Sequence, residues 1–164
     1  MSDELQVPEG QAADSLLFGS YERSLDAKGR FNVPFRFRAK EAGKEDEPVR
    51  FMITEDAQGV VSLMTRDNYE ASLRSALKLR RGREQWHFVR WLATHSQPVQ
   101  LDGQGRVAIP QKYLERIGAK KRLLVVGVGK RMELWDPARI TSVQTATGDP
   151  AEEFFDVFYQ DELD

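Results

Sequence analysis

Short runs in which apolar and polar residues alternate, punctuated by Gly, Asp and Pro, fill most of this chain and mark it as rich in strands. Tyr21, Arg23 and Leu25 alternate with smaller polar residues as a half-buried strand does, and Phe31 and Val33 open another after a turn over 26–30. Past Pro34, residues 35–40 read as a short helix bearing several cations, and 41–48 as a charged loop. Strands over 50–54 and 60–65 meet across Asp56-Ala57-Gln58-Gly59, a hairpin signal. The period then lengthens. Tyr69, Leu73, Ala76 and Leu77 predict a helix over 68–81, with Asp67 as its N-cap and Gly82 as its stop. Trp86, Val89, Leu92 and Ala93 mark the apolar stripe of a second helix over 83–94, so the two form an αα-hairpin. The strand pattern resumes over 96–101, with a turn over 102–106 and a strand over 107–109. Next come a helix over 111–117 stopped by Gly118, and strands over 122–126 and 130–135 around Gly127-Val128-Gly129. Asp136-Pro137 opens a last helix through Ile140 and Val143, which Gly148 and Pro150 break.

One stretch occurs twice. Leu25-Asp26-Ala27-Lys28-Gly29-Arg30-Phe31-Asn32-Val33-Pro34 returns as Leu101-Asp102-Gly103-Gln104-Gly105-Arg106-Val107-Ala108-Ile109-Pro110, 76 positions on. A repeat at this distance means one structural unit used twice. In each copy Asp26 or Asp102 accepts backbone N–H groups and Gly29 or Gly105 supplies a positive φ. Arg30 and Arg106 are then expected to project from the exit of the turn. The pattern divides the chain into an acidic arm (1–16), a first unit (17–66), linking helices (67–94), a second unit (95–143) and an acidic aromatic tail (144–164). The expected class is α+β, β-rich and pseudo-symmetric.

Composition narrows the function. None of the 164 residues is Cys, which excludes disulfides, thiolate metal sites and Cys nucleophiles and suits a reducing cytoplasm. No apolar run approaches a membrane span, and the N-terminus lacks the regions of a signal peptide. The net charge of −2 hides an uneven distribution: four acids and no base in 1–15, seven acids and no base in 146–164. The remaining 24 basic and 15 acidic side chains give residues 16–145 a net of +9, enough to attract a polyanion. The tail sets its acids among Phe154, Phe155, Val157, Phe158 and Tyr159, a composition that suits docking on a surface. His87 and His95 have no carboxylate at ligand spacing, and phosphate-loop and nucleophile-elbow patterns are absent. Catalytic residues, metal, cofactor and small-molecule substrate are therefore not expected.

The two turns, with Phe18-Gly19, Val33-Pro34, Phe88-Val89-Arg90 leading to His95, Ile109-Pro110 and Glu133-Leu134-Trp135, resemble the MraZ family over about residues 17–143. That family is built from two tandem SpoVT/AbrB-like domains. The resemblance implies swapped hairpins that form a pseudo-symmetric β-barrel with peripheral helices, and ring-shaped homo-oligomers. It also implies binding of double-stranded DNA at promoter repeats and regulation of the bacterial division and cell wall cluster, in the cytoplasm on the nucleoid. The chain departs from the family in its longer acidic arm, in His95-Ser96-Gln97-Pro98 and in its tail. The residue chemistry agrees with DNA binding: a turn Arg can pair with guanine O6 and N7 while nearby cations neutralise phosphates. Expected DNA contacts are Lys28, Arg30, Arg36, Arg38 and Arg106. The first unit is the expected DNA face, because Lys28, Arg36 and Arg38 stand where the second has Gln104, Lys112 and Leu114. The rival expectation is a ring-forming structural protein without specific DNA binding.

Overall fold

A computed structural model describes residues 16–38 and 49–160. The expected arm, the loop over 41–48, the end of the short helix at 39–40 and the last four tail residues lie outside the described residues. Among the described residues there are eight strands: β1 (Leu17–Ser24), β2 (Arg30–Asn32), β3 (Arg50–Glu55), β4 (Val61–Thr65), β5 (Ser96–Gln100), β6 (Arg106–Ala108), β7 (Arg122–Gly129) and β8 (Met132–Trp135). Helices α1 (Arg66–Leu77) and α2 (Arg83–His95) link the units, α3 (Gln111–Ile117) lies in the second, and α4 (Pro137–Thr147) and α5 (Glu152–Gln160) follow it. The class is α+β, with an antiparallel six-stranded sheet in the order β1-β7-β8-β4-β3-β5 and a two-stranded ribbon of β2 and β6.

That order reads the same backwards when each strand of the first unit is exchanged for its counterpart in the second. Strand β1 pairs with β7 of the second unit, β5 with β3 of the first, and β2 with β6. The expected β-turn-β order is present in each unit: each Asp-Gly turn closes, and the strands it joins take partners from the other unit. The pseudo-two-fold passes between Phe31 and Val107 in the ribbon and between Ser62 and Glu133 in the sheet. Cross-pairing follows from burial. Phe31, Val33, Val107 and Ile109 meet Phe51, Ile53, Val61, Leu63, Leu123, Val125, Met132 and Leu134 in one core, which neither unit fills alone.

Local chemistry sets several boundaries away from the expected ones. Thr65, not Asp67, caps α1, its Oγ1 accepting from the Asn68 N–H at 3.2 Å, and the helix ends at Leu77 rather than 81. The short helix after Pro34 is a single 3-10 turn, Phe35–Phe37. Gly127, Val128 and Gly129 belong to β7, so the β7–β8 turn lies at Lys130 and Arg131. Gly127 is there for closeness: it stands opposite Gly19, and a Cβ would come within 2.8 Å of the Leu17 and Phe18 backbone. Trp86 and Ala93 leave the expected stripe of α2, whose packed side is Gln85, Val89 and Leu92. Pro98 sits in β5, at the end of the strand order, where its missing N–H costs no ladder bond on the open side.

Candidate nucleic-acid interface

The repeated turns come together on the β2–β6 ribbon. Register sets Arg30 opposite Ala108, Phe31 opposite Val107 and Asn32 opposite Arg106. Period-two alternation buries Phe31 and Val107 and leaves Arg30, Asn32, Arg106 and Ala108 on the outer side. Arg30 and Arg106 are thus diagonal neighbours, about 7–8 Å apart at the backbone. The turns also interlock, since Val33 N–H donates to the Gly105 carbonyl at 3.0 Å and Ile109 N–H to that of Gly29 at 2.9 Å.

Within each turn one aspartate organises everything. Asp26 Oδ1 accepts from the N–H groups of Lys28 and Arg30, both at 2.9 Å, and Asp102 Oδ1 from those of Gln104 and Arg106, at 2.8 and 2.9 Å. Gly29 and Gly105 hold φ of +73° and +78° and donate to the aspartate carbonyls. The backbone N–H of Arg30 is the main influence lowering the Asp26 pKa, as that of Arg106 is for Asp102, with the guanidinium of the same residue adding to each. Both carboxylates stay ionised at neutral pH. A third turn, Asp56-Ala57-Gln58-Gly59, has the same backbone bonds from Gln58 and Val60 to Asp56 Oδ1 but no arginine, so the turn itself is generic scaffold. The arginine marks the other two.

Those arginines do not project freely, which corrects the expectation. Arg30 Nε donates to Asp26 Oδ2 at 2.6 Å and Arg106 Nε to Asp102 Oδ2 at 3.0 Å; the side chains are 31% and 26% exposed. The carboxylate that shapes each turn also holds its guanidinium by the Nε edge. Among the described residues no hydrogen bond engages the Nη groups, which leaves an oriented pair of donors at each turn. Lys28 and Arg36 are exposed beside this scaffold. Arg38 stands elsewhere: its Nε donates to the Val33 carbonyl at 2.8 Å, and its guanidinium lies where a Cβ on Gly105 would fall. Its counterpart Leu114 covers Gly29 in the same way, with Cδ1 2.7 Å from where a Cβ would be. Each turn is therefore covered by a side chain of the other unit.

Sequence reasoning missed Asn32 on the outer face and Arg23, whose Nε donates to the Asn32 carbonyl at 3.2 Å. The alternation of Arg30, Phe31 and Asn32 carried the first of these. Away from the ribbon, a polar cleft of about 510 Å³ is lined by Glu55, His95, Lys112, Tyr113, Arg116 and Arg139, among others. Glu55 pairs with Arg116 at 2.6 Å, His95 stacks on Trp91, and the buried Tyr113 hydroxyl has no hydrogen-bond partner among the described residues. Burial, then Glu55 and Tyr69, raise the Tyr113 pKa. Among the described residues no group of three or more His, Asp or Glu is placed to hold a metal, and no helix is long and apolar enough to cross a membrane.

Comparison with known proteins bears directly on this arrangement. The family model described as "MraZ protein, putative antitoxin-like" matches residues 92–146. A protein of Acetivibrio thermocellus named transcriptional regulator MraZ is 33% identical over 127 residues, covering 76% of this chain and 83% of the relative. The chain belongs to the MraZ family. Proteins of the same name in Clostridium botulinum and Ligilactobacillus salivarius are 34% and 29% identical, over 73% and 91% of this chain and 81% and 98% of theirs. This MraZ chain carries the Asp-Gly-Arg turn twice, at 26–30 and 102–106.

Proposed function

We propose that this chain is a transcriptional regulator that binds double-stranded DNA sequence-specifically through the outer face of the β2–β6 ribbon. The observation that carries the reading is the pair of guanidinium groups, Arg30 and Arg106, each held at Nε by the aspartate of its own turn, with no hydrogen bond to its Nη groups among the described residues. A two-stranded ribbon fits the major groove, and a pre-oriented guanidinium is suited to bidentate contact with guanine O6 and N7. Lys28 and Arg36 serve as phosphate contacts, and Arg38 supports the second turn from the side. The first unit, with Lys28 at its turn against Gln104 in the second, contributes more of the attraction. The targets are repeated promoter elements, those of the bacterial division and cell wall cluster foremost, and the protein acts in the cytoplasm on the nucleoid.

Self-association belongs to the same reading. Ring-shaped homo-oligomers would present several ribbons to successive operator repeats, so that modest single contacts combine through effective concentration. In the finer architecture, the exchange of β1 and β5 between units is what supports a swapped-hairpin barrel. The test is a band shift of the DNA upstream of the protein's own gene against a scrambled fragment, over a salt series. Tighter binding to the upstream fragment and a steep loss with salt are expected. Lys28→Ala should weaken binding to both fragments alike and reduce the magnitude of the salt slope by about 1. Equal binding to both fragments would overturn sequence specificity and leave protein contacts as the function.

A further inference from the structure

Helix α5 leaves its large side chains uncovered. Phe154, Phe155, Val157, Phe158 and Tyr159 are 45–69% exposed, and none of its residues is buried. The helical period sets Phe154, Phe155, Phe158 and Tyr159 on one side and Glu152, Glu153, Asp156 and Gln160 on the other. Among the described residues the ring contacts of this helix are Phe155 with Tyr159 at 6.3 Å and Phe158 edge-on to Tyr159 at 5.3 Å. No Lys or Arg follows Arg139, so nothing on this segment neutralises its acids.

A matching face exists on α2. Opposite its packed side, the helical period groups Arg83, Trp86, His87, Arg90 and Ala93, all exposed, with Trp86 at 60%. Exposed Lys78, Leu79 and Arg81 lie in the connection just before it. Residues 74–90 hold six basic side chains against one acid, Glu84, which Arg80 already engages at 2.6 Å. By the same period Glu152 and Asp156 border the aromatic side next to Tyr159, while on α2 Arg83 and Arg90 stand beside Trp86.

We propose that α5 of one copy docks its aromatic side on the outer face of α2 of a second copy of this chain, its acids meeting Arg83 and Arg90. Among the described residues both faces stand open within one copy, which leaves them available to a second copy. Donor and acceptor faces differ, which makes the contact heterologous, able to continue from copy to copy until it closes. The inference rests on the self-association reading and names a surface that achieves it.

The absence of Cys makes the test direct. Full-length Val157→Cys and Ala93→Cys variants, distinguishable by a tag, are mixed and treated with a short bis-maleimide; Val157→Cys with Gln58→Cys is the control pair. Crosslinking between the two variants is expected to exceed the control about tenfold, to fall to the control level when Glu152→Lys and Asp156→Lys are added, and to recover when Arg83→Glu and Arg90→Glu face them. All these sites are exposed, and circular dichroism checks the fold. Yield no higher than the control, insensitivity to charge reversal, or a crosslink formed only when both cysteines share one chain would overturn the contact. Light scattering separates the two readings: a monomer removes self-association itself, whereas an assembly without the crosslink removes only this interface.

Discussion

Replacing Gly29 by Ala tests the interlock of the two units. Gly29 holds φ of +73°, and a Cβ would come within 2.7 Å of Leu114 Cδ1 and 3.2 Å of the Ile109 carbonyl oxygen. The left-handed backbone costs an L-residue about 1–2 kcal/mol. Crowding against Leu114, whose backbone is fixed by α3, adds about 1–3 kcal/mol, and reduced freedom of the unfolded chain returns about 0.4–1 kcal/mol. The expected loss is about 2–4 kcal/mol, a large part of the roughly 5–15 kcal/mol that holds a domain together. Gly105→Ala meets the same backbone cost, but its neighbour is the end of the flexible Arg38 side chain, so it should lose about 1–2 kcal/mol. Urea unfolding of Gly29→Ala, Leu114→Ala and the double variant measures the coupling, expected near 1 kcal/mol because truncating Leu114 removes the crowding and leaves the backbone strain. Additive effects, or a Gly105→Ala variant less stable than Gly29→Ala, would refute the view that each turn is covered by the opposite unit in this way.

Two further consequences concern stability. Asp26 and Asp102 have folded-state pKa values below the ordinary 3.8, so the unfolded chain binds more protons at low pH; their contribution is complete above that value and is lost as pH falls through the lower folded value. Unfolding free energy measured downward from pH 5 should therefore decline, and Asp26→Asn with Asp102→Asn should flatten that decline. Tyr113→Phe removes a buried hydroxyl that has no partner and installs the ring that the first unit carries at the matching Phe37. Stability should rise by about 0.5–1 kcal/mol in thermal melts, and a loss would mean that the hydroxyl is satisfied in solution.

Much of the framework was legible because repetition and period are local. Leu25 to Pro34 and Leu101 to Pro110 announced two like turns, and Gly118 and Pro137 marked helix boundaries that the structure keeps. The apolar pattern of β1 and β5 did not name their partner strands, and exchange between units stood only on the family resemblance; shared burial in a single core decides it. The candidate site divides in the same way. Asp26, Gly29, Asp102 and Gly105 shape the turns as their chemistry requires. The retraction of Arg30 and Arg106 onto those aspartates, and the use of Arg38 against Gly105, depend on distances in space that spacing along the chain does not encode.

The central claim is that the aspartate-held arginines on the ribbon read DNA. Binding isotherms of the wild-type protein, Arg30→Ala and Arg106→Ala on the upstream fragment and on its scrambled control test it most directly, with thermal melts alongside. Both variants should unfold cooperatively. Arg30→Ala should cut the ratio of specific to non-specific affinity by about 5- to 150-fold, the equivalent of about 1–3 kcal/mol at one base contact, and Arg106→Ala should cut it less. An unchanged ratio for both variants, with folding intact, would contradict the central claim.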